Sequence, residues 1–247
     1  MNITTRIRTD LSSRWKLHRF ERFLEHHTDS LTRRFGAAEA AVMRREMVEE
    51  YRALIPQVPD IGGRRNPWNS NLAATPMALA VHRCVLRHGG SANDAGEVVV
   101  GYAHSLIEWV PRRLRPRLLA PRRSAAEKEA RWSQQRRYAD DWVAAFVDGT
   151  GQPFDFGMDV TECAIDKYMR ANGAGEFTPY LCHLDYVIAE AAGVGLTRTK
   201  TLAWGCDRCD FRFTRPGTTT VTWPPEFPER SCGRPPAAAA EPEVPHD

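Results

Sequence analysis

Around Asp148-Gly149-Thr150-Gly151 the spacing of apolar residues changes, so one type of secondary structure cannot run through the whole chain. Before this point apolar residues recur at three- and four-residue intervals. Leu17, Phe20, Phe23, Leu24 and Leu31 mark a helix over 10–34, and Met43, Met47, Tyr51 and Leu54 mark a second over 37–54. After it, Phe154, Phe156, Met158 and Val160 alternate with Asp155, Gly157 and Asp159, the two-residue period of a half-buried strand. The expected fold class is α+β, mostly helical with a small antiparallel sheet near the C-terminus.

The remaining elements follow from punctuation. Ile55–Asn71 carries Pro56, Pro59 and Pro67, a Gly-Gly pair and three asparagines, so it reads as an irregular connector or a pocket-lining loop. A helix is expected over 75–88, with Pro76 in its first turn and Gly89-Gly90 ending it. Another runs from Ser91 to Trp109. Ser124 and Glu127 have capping-box spacing for a helix reaching Val147 and burying Tyr138, Trp142 and Phe146. Short helices over 162–171 and 179–192 precede strands 196–204 and 209–214, joined as a hairpin through Gly205-Cys206-Asp207-Arg208. Residues 218–222 could add a strand. The expected organisation is a helical extension (1–36), an α+β domain (37–222) and a disordered Pro/Ala-rich tail (223–247), in which Cys232 has no role.

Composition excludes more than it assigns. The basic residues comprise 30 Arg and 4 Lys, yet the net charge is only +3, and no helix-turn-helix, RRM or zinc-finger pattern accompanies them. Neither nucleic acid nor membrane is an expected partner, since no apolar run approaches the roughly 18 residues of a spanning helix. A cytoplasmic location is expected, with the six cysteines as reduced thiols. The oligomeric state is not legible.

The chemistry-bearing residues crowd into 176–213. On the helix from Pro179, Cys182 and Asp185 stand three apart and share a face. An early helical position favours a thiolate at Cys182 through the helix dipole. Cys206 and Cys209 form C-x-x-C, half of a structural zinc site that Cys163 and Cys182 could complete, but those ligands would come from three separate elements, so no metal is expected. Cys209 and Asp210 are adjacent in a strand and point to opposite faces. Arg198 and Arg212 can hold a carboxylate bidentately.

Three stretches then suggest a relationship: PQVPDIGGRRNPWNSNL, FDFGMDVTECAIDKYMRANGAGEFTPYLCHLDY and RTKTLAWGCDRCDFRF. Together they resemble the L-2-amino-thiazoline-4-carboxylic acid hydrolase family, through an IGG-x-x-N loop, one Cys ahead of a Gly-Glu-x-x-P segment, a C-x-x-D helix and a closing CDFRF strand. The resemblance covers about residues 40–214, and Cys206 is an addition to the family pattern. The helix and hairpin are also remotely similar to vinyl-reductase-type ligand-binding domains. Some of those bind zinc, but Arg198 and Thr201 stand where two of the ligands would be.

The resemblance implies hydrolysis of a cyclic C=N bond, opening a 2-aminothiazoline carboxylate toward a carbamoyl-cysteine. The matching positions are Asn66, Cys163, Glu176, Cys182, Asp185, Cys209 and Asp210. The expected enzyme is a cofactor-free hydrolase of C–N bonds in small cyclic amidines. Cys182 attacks the ring carbon or Asp185 activates water, and Asp210 or Glu176 protonates the leaving nitrogen. Arg198 or Arg212 holds the carboxylate, Asn66 orients the substrate, and Cys163 and Cys209 line the site. The alternatives are a family member acting on another C–N or C–S bond in natural-product biosynthesis, and a non-catalytic small-molecule-binding domain.

Overall fold

The computed structural model describes residues 3–26, 29–225 and 232. Helices α1 (Ile3–His26), α2 (Asp29–Phe35), α3 (Ala37–Leu54), α4 (Asn69–Arg87) and α5 (Ala92–Glu108) come first, and the short α6 (Arg115–Leu118) and α7 (Arg123–Ser133) follow. Strands β1 (Val143–Asp148) and β2 (Phe156–Glu162) then lead into α8 (Ala164–Ala171) and α9 (Thr178–Ala192), and β3 (Gly195–Thr197) and β4 (Cys209–Thr214) close the fold. The result is mostly helical, with one four-stranded antiparallel sheet in the order β1-β2-β4-β3.

The apolar stripes read from the sequence are the ones buried. Phe20, Phe23, Leu24 and Leu31 pack with Met43, Met47, Tyr51 and Leu54, and the same core continues through Leu79 and Val81 to Phe156, Val160 and Phe177. Each large side chain so buried contributes about 1.5–3 kcal/mol. The helix expected over 10–34 consists of α1 and α2, and its junction at 27–28 lies outside the described residues. Ser91 caps α5 in a reciprocal box with Asp94.

Four expectations are corrected. The first concerns α4, which begins at Asn69, so Pro76 sits inside the helix rather than in its first turn. The Asn66 side chain accepts from Trp68 N–H (2.9 Å), a local turn that starts the helix early.

The second concerns α7, which stops at Ser133 instead of reaching Val147. The Ser133 hydroxyl accepts from Ala144 N–H (2.9 Å) and donates to Ala144 O (3.1 Å), tying the helix end to β1. Lys167 Nζ donates to Ala139 O and Asp141 O, which pins the intervening turn. Val143–Asp148 then pairs along β2, so sheet hydrogen bonding overrides the helical spacing.

The third concerns the hairpin. Strand β3 is only Gly195–Thr197, Leu202–Trp204 is a 3-10 turn, and no strand forms over 218–222. Asp210 organises the intervening loop by accepting from Thr199 N–H (2.8 Å) and Lys200 N–H (2.6 Å).

The fourth is a disulfide between Cys206 and Cys232, where reduced thiols and an idle tail were expected. After β4 the chain folds back rather than leaving the domain: Gly217 N–H reaches Gly193 O, and the Thr219 hydroxyl bonds both Val194 O and Leu196 N–H. Apart from 223–225 and Cys232, the expected tail lies outside the described residues. Among the described residues no helix is long and apolar enough to cross a membrane.

Candidate active site

Alternation along β4 separates a wet face from a cavity face. Cys209, Phe211 and Phe213 point inward beside Val160 and Met158 of β2, their register partners being Val160↔Cys209 and Met158↔Phe211. Asp159, Asp210 and Arg212 lie on the other face, where Arg212 binds Asp159 at 2.9 Å.

The inward face forms the floor of a cavity of about 260 Å³. Helix α9 supplies Leu181, Cys182 and Asp185 as one wall, and α7 supplies Ala125, Ala126 and Glu129 as another. Trp68 and Trp142 close the end, their rings 5.6 Å apart. Arg122 stands at the rim and Cys163, at the start of α8, completes the lining.

Five residues singled out from the sequence meet in this cavity: Cys163, Cys182, Asp185, Arg198 and Cys209. Arg198 is the electrostatic centre. Its side chain is 1% exposed, and it donates to Asp185 Oδ2 at 2.9 Å and to Cys182 O at 3.2 Å. The guanidinium also lies over the Tyr186 and Phe211 rings, 5.0 Å from each. Aromatic faces and a carboxylate together offset the desolvation of this cation.

The thiols are not poised as thiolates. Burial raises Cys182 well above the usual thiol range, and the nearby Arg198 only partly opposes it. Cys182 is the fifth residue of α9, past the turn where the dipole acts most strongly. Burial likewise pushes Cys163 up to about 12, and raises Cys209 against the pull of Arg198 and the Thr201 hydroxyl. Thr201 Oγ1 bridges Cys209 Sγ (3.2 Å) and Cys182 Sγ (3.8 Å). Thiols held neutral in this way are weak nucleophiles at neutral pH.

Four other expected site residues lie elsewhere. Glu176 is drawn to His82 on α4, 3.0 Å away, and His82 stacks on Phe177 with ring centroids 4.3 Å apart. Burial lowers the His82 pKa despite the Glu176 carboxylate. Asp210 belongs to the hairpin loop and Arg212 to the outer sheet face. Asn66 is buried behind the cavity, donating to Ile61 O and Asp141 Oδ2, and its loop reaches the cavity through Trp68.

Trp142, Arg122 and Glu129 are cavity residues that sequence reasoning missed, whereas Trp68 and Asn71 belong to the segment read as a connector or a pocket-lining loop. Glu129 did carry a signal, since it falls three and four residues after Ala126 and Ala125, on one small-residue face of α7.

A second cluster joins α3 and α4. Glu46, Cys84 and His88 bring their donor atoms within 4.8 Å of one another, the metal-like spacing found among the described residues. Their atoms already engage each other. Glu46 Oε2 accepts from His88 Nε2 (3.0 Å) and Arg87 (3.4 Å) and lies 3.8 Å from Cys84 Sγ.

Residues 117–213 match the L-2-amino-thiazoline-4-carboxylic acid hydrolase family, as the motif resemblance implied over that span. That segment carries α7, the sheet, α8, α9 and every cavity residue except Trp68 and Asn71. No curated protein and no solved structure matches the chain.

Proposed function

We propose that the cavity hydrolyses a small carboxylated ring containing a C=N bond, of the 2-aminothiazoline-4-carboxylate type, with Asp185 activating the attacking water. The observation that carries this reading is the Asp185–Arg198 pair opening on an apolar cavity, inside the segment that matches the hydrolase family. A carboxylate within reach of a bound water is a competent general base. Asp185 is 42% exposed, so water reaches it while Arg198 fixes its direction. The substrate carboxylate is held by the cavity guanidinium groups, Arg122 at the rim and Arg198 at the centre.

In the reaction, water oxygen bonds to the ring carbon as the C=N electron pair moves to nitrogen, which takes up a proton. Collapse of the resulting carbinol forms C=O and breaks the ring C–S bond, and the sulfur leaves as a thiol. The product is the substrate plus one water, a carbamoyl-cysteine for the 2-amino ring. Because burial keeps the Cys182 thiol neutral, water rather than sulfur attacks in this scheme, and the three cavity thiols shape the wall.

The test is a mass-spectrometric panel of cyclic amidines and thiazolines incubated with the protein. A gain of one water on a carboxylated thiazoline, lost in Asp185→Asn, is the expected result. Stoichiometric binding with every ligand recovered unchanged would replace the hydrolase reading with a binding one.

A further inference from the structure

We infer that Glu129 is the proton donor of this site, the acid that protonates the ring nitrogen while Asp185 takes the proton from water. The inference rests on the hydrolase reading above and assigns a role there that neither Asp210 nor Glu176 can fill. Asp210 is consumed by Thr199 and Lys200 at the hairpin loop, and Glu176 by His82. The carboxyl groups lining the cavity are Asp185 and Glu129, entering from different walls, α9 and α7.

Their surroundings divide the labour. Asp185 has a buried guanidinium as partner, whereas the polar group set against the Glu129 carboxyl is the neutral indole of Trp68. Burial raises Glu129 from its ordinary value, and the Trp68 indole only partly opposes this. Carboxyls in one site whose environments differ in this way take acid and base roles respectively.

The charges facing Glu129 do not reverse the assignment. Across the cavity stand the Asp185–Arg198 pair, the neutral thiols and, at the rim, Arg122, which donates to Arg117 O. On the strands packed against α7, Asp148 is bound by Arg123, which also holds Glu127, Asp159 by Arg208 and Arg212, and Glu162 by Lys167 and Arg136. Asp141 meets Asn66 and Trp132, and Lys128 and Arg131 are on exposed positions of α7 itself.

The protons balance. As water oxygen bonds to the ring carbon, water gives a proton to Asp185 and Glu129 gives one to nitrogen. As the carbinol collapses, its hydroxyl proton returns to Glu129 and Asp185 protonates the departing sulfur. Both carboxyls regain their starting states.

The experiment is the pH profile of ring opening for the wild-type protein and Glu129→Gln, joined to a carboxyl titration by NMR with ¹³C-labelled glutamate. Glu129→Gln keeps the size of the side chain and an acceptor for Trp68. The expected result is a fall in kcat of about 100-fold or more with KM little changed. The alkaline limb of the wild-type profile should also disappear, because activity needs Glu129 protonated and is lost as pH rises through its raised pKa. A fold-supporting role alone would not move that limb. In the titration, the signal absent from Glu129→Gln should stay protonated to higher pH than the exposed glutamates, in the direction burial pushes it.

A Glu129 that ionises along with the exposed glutamates overturns the inference without any substrate. Wild-type turnover unchanged in Glu129→Gln overturns the donor role while leaving the hydrolase reading intact. A wild-type protein that opens no ring in the panel overturns both.

Discussion

Two parts of this molecule gather cysteine with acidic groups, and they do opposite things with them. At the α3–α4 seam, Cys84 sits beside Glu46 and His88, and His88 is held between Glu46 and Glu39. Each charge meets another and the helices close over the thiol, which is fully buried and pushed up to about 12. At the cavity, burial also makes Cys182 and Cys209 reluctant to ionise, but there Asp185 and Glu129 border open volume. A cluster of reactive residue types becomes a candidate site only where charge is left facing room for a ligand. The seam has the closer spacing of metal-binding groups and the cavity has the room.

The sharpest way to break this comparison is to exchange the roles of acid and thiol. Asp185→Asn should cost a factor of about 10²–10⁴ in ring opening, while Cys182→Ser stays within about tenfold of wild type. Initial rates by mass spectrometry decide it. Loss in Cys182→Ser together with a trapped covalent adduct would make sulfur the attacking atom.

Next in size is Arg198→Leu. Removing one partner of a fully buried pair costs about 3–5 kcal/mol, and water at the half-exposed Asp185 screens the orphaned charge, so about 2 kcal/mol is expected here. Urea unfolding measures that loss, and a KM raised about tenfold should accompany it in the ring-opening assay.

Cys84→Ala probes the seam. It removes a buried sulfur and should cost about 1–2 kcal/mol in unfolding free energy with turnover unchanged. A change in kcat would mean the seam communicates with the cavity.

The smallest effect concerns pH. Glu46 and Glu39 raise the His88 pKa above the usual 6.5, so that pairing is complete below 6.5 and is lost as pH rises through the raised value. His88 lowers Glu46 below its usual 4.5, so the carboxylate side is present above 4.5 and is lost as pH falls through the lowered value. His88→Gln should therefore lower Tm by about 2–4 °C between pH 4.5 and 6.5, and by less at pH 9. A loss independent of pH would point to packing instead of charge.

Much of the fold was legible because single elements carry their own periodicity. The stripe from Leu17 to Leu31 and the capping by Ser91 and Asp94 are local facts, and so is the placement of Cys182 and Asp185 on one face of α9. What was hidden depended on partners far along the chain. Strand β1 follows a helix-like run, and only Ser133 and the β2 register reveal it as strand. Glu176 and Asp210 looked catalytic by type and position, yet His82 lies 94 residues from the first and the second serves its own hairpin. Glu129 was overlooked for the converse reason: its place on the small-residue face of α7 is a weak signal, and it reads as an ordinary helical acid until Trp68 and the sheet enclose it.

Strand β4 writes two messages on alternate letters. Positions 209, 211 and 213 speak to whatever occupies the cavity, while 210 and 212 hold the loop and the neighbouring strand. Positions 211 and 213 can therefore reshape the cavity with the fastening through 210 and 212 untouched, whereas Cys209 also ties down Thr201 and Leu202. A lineage built on this strand could change diet without rebuilding its house.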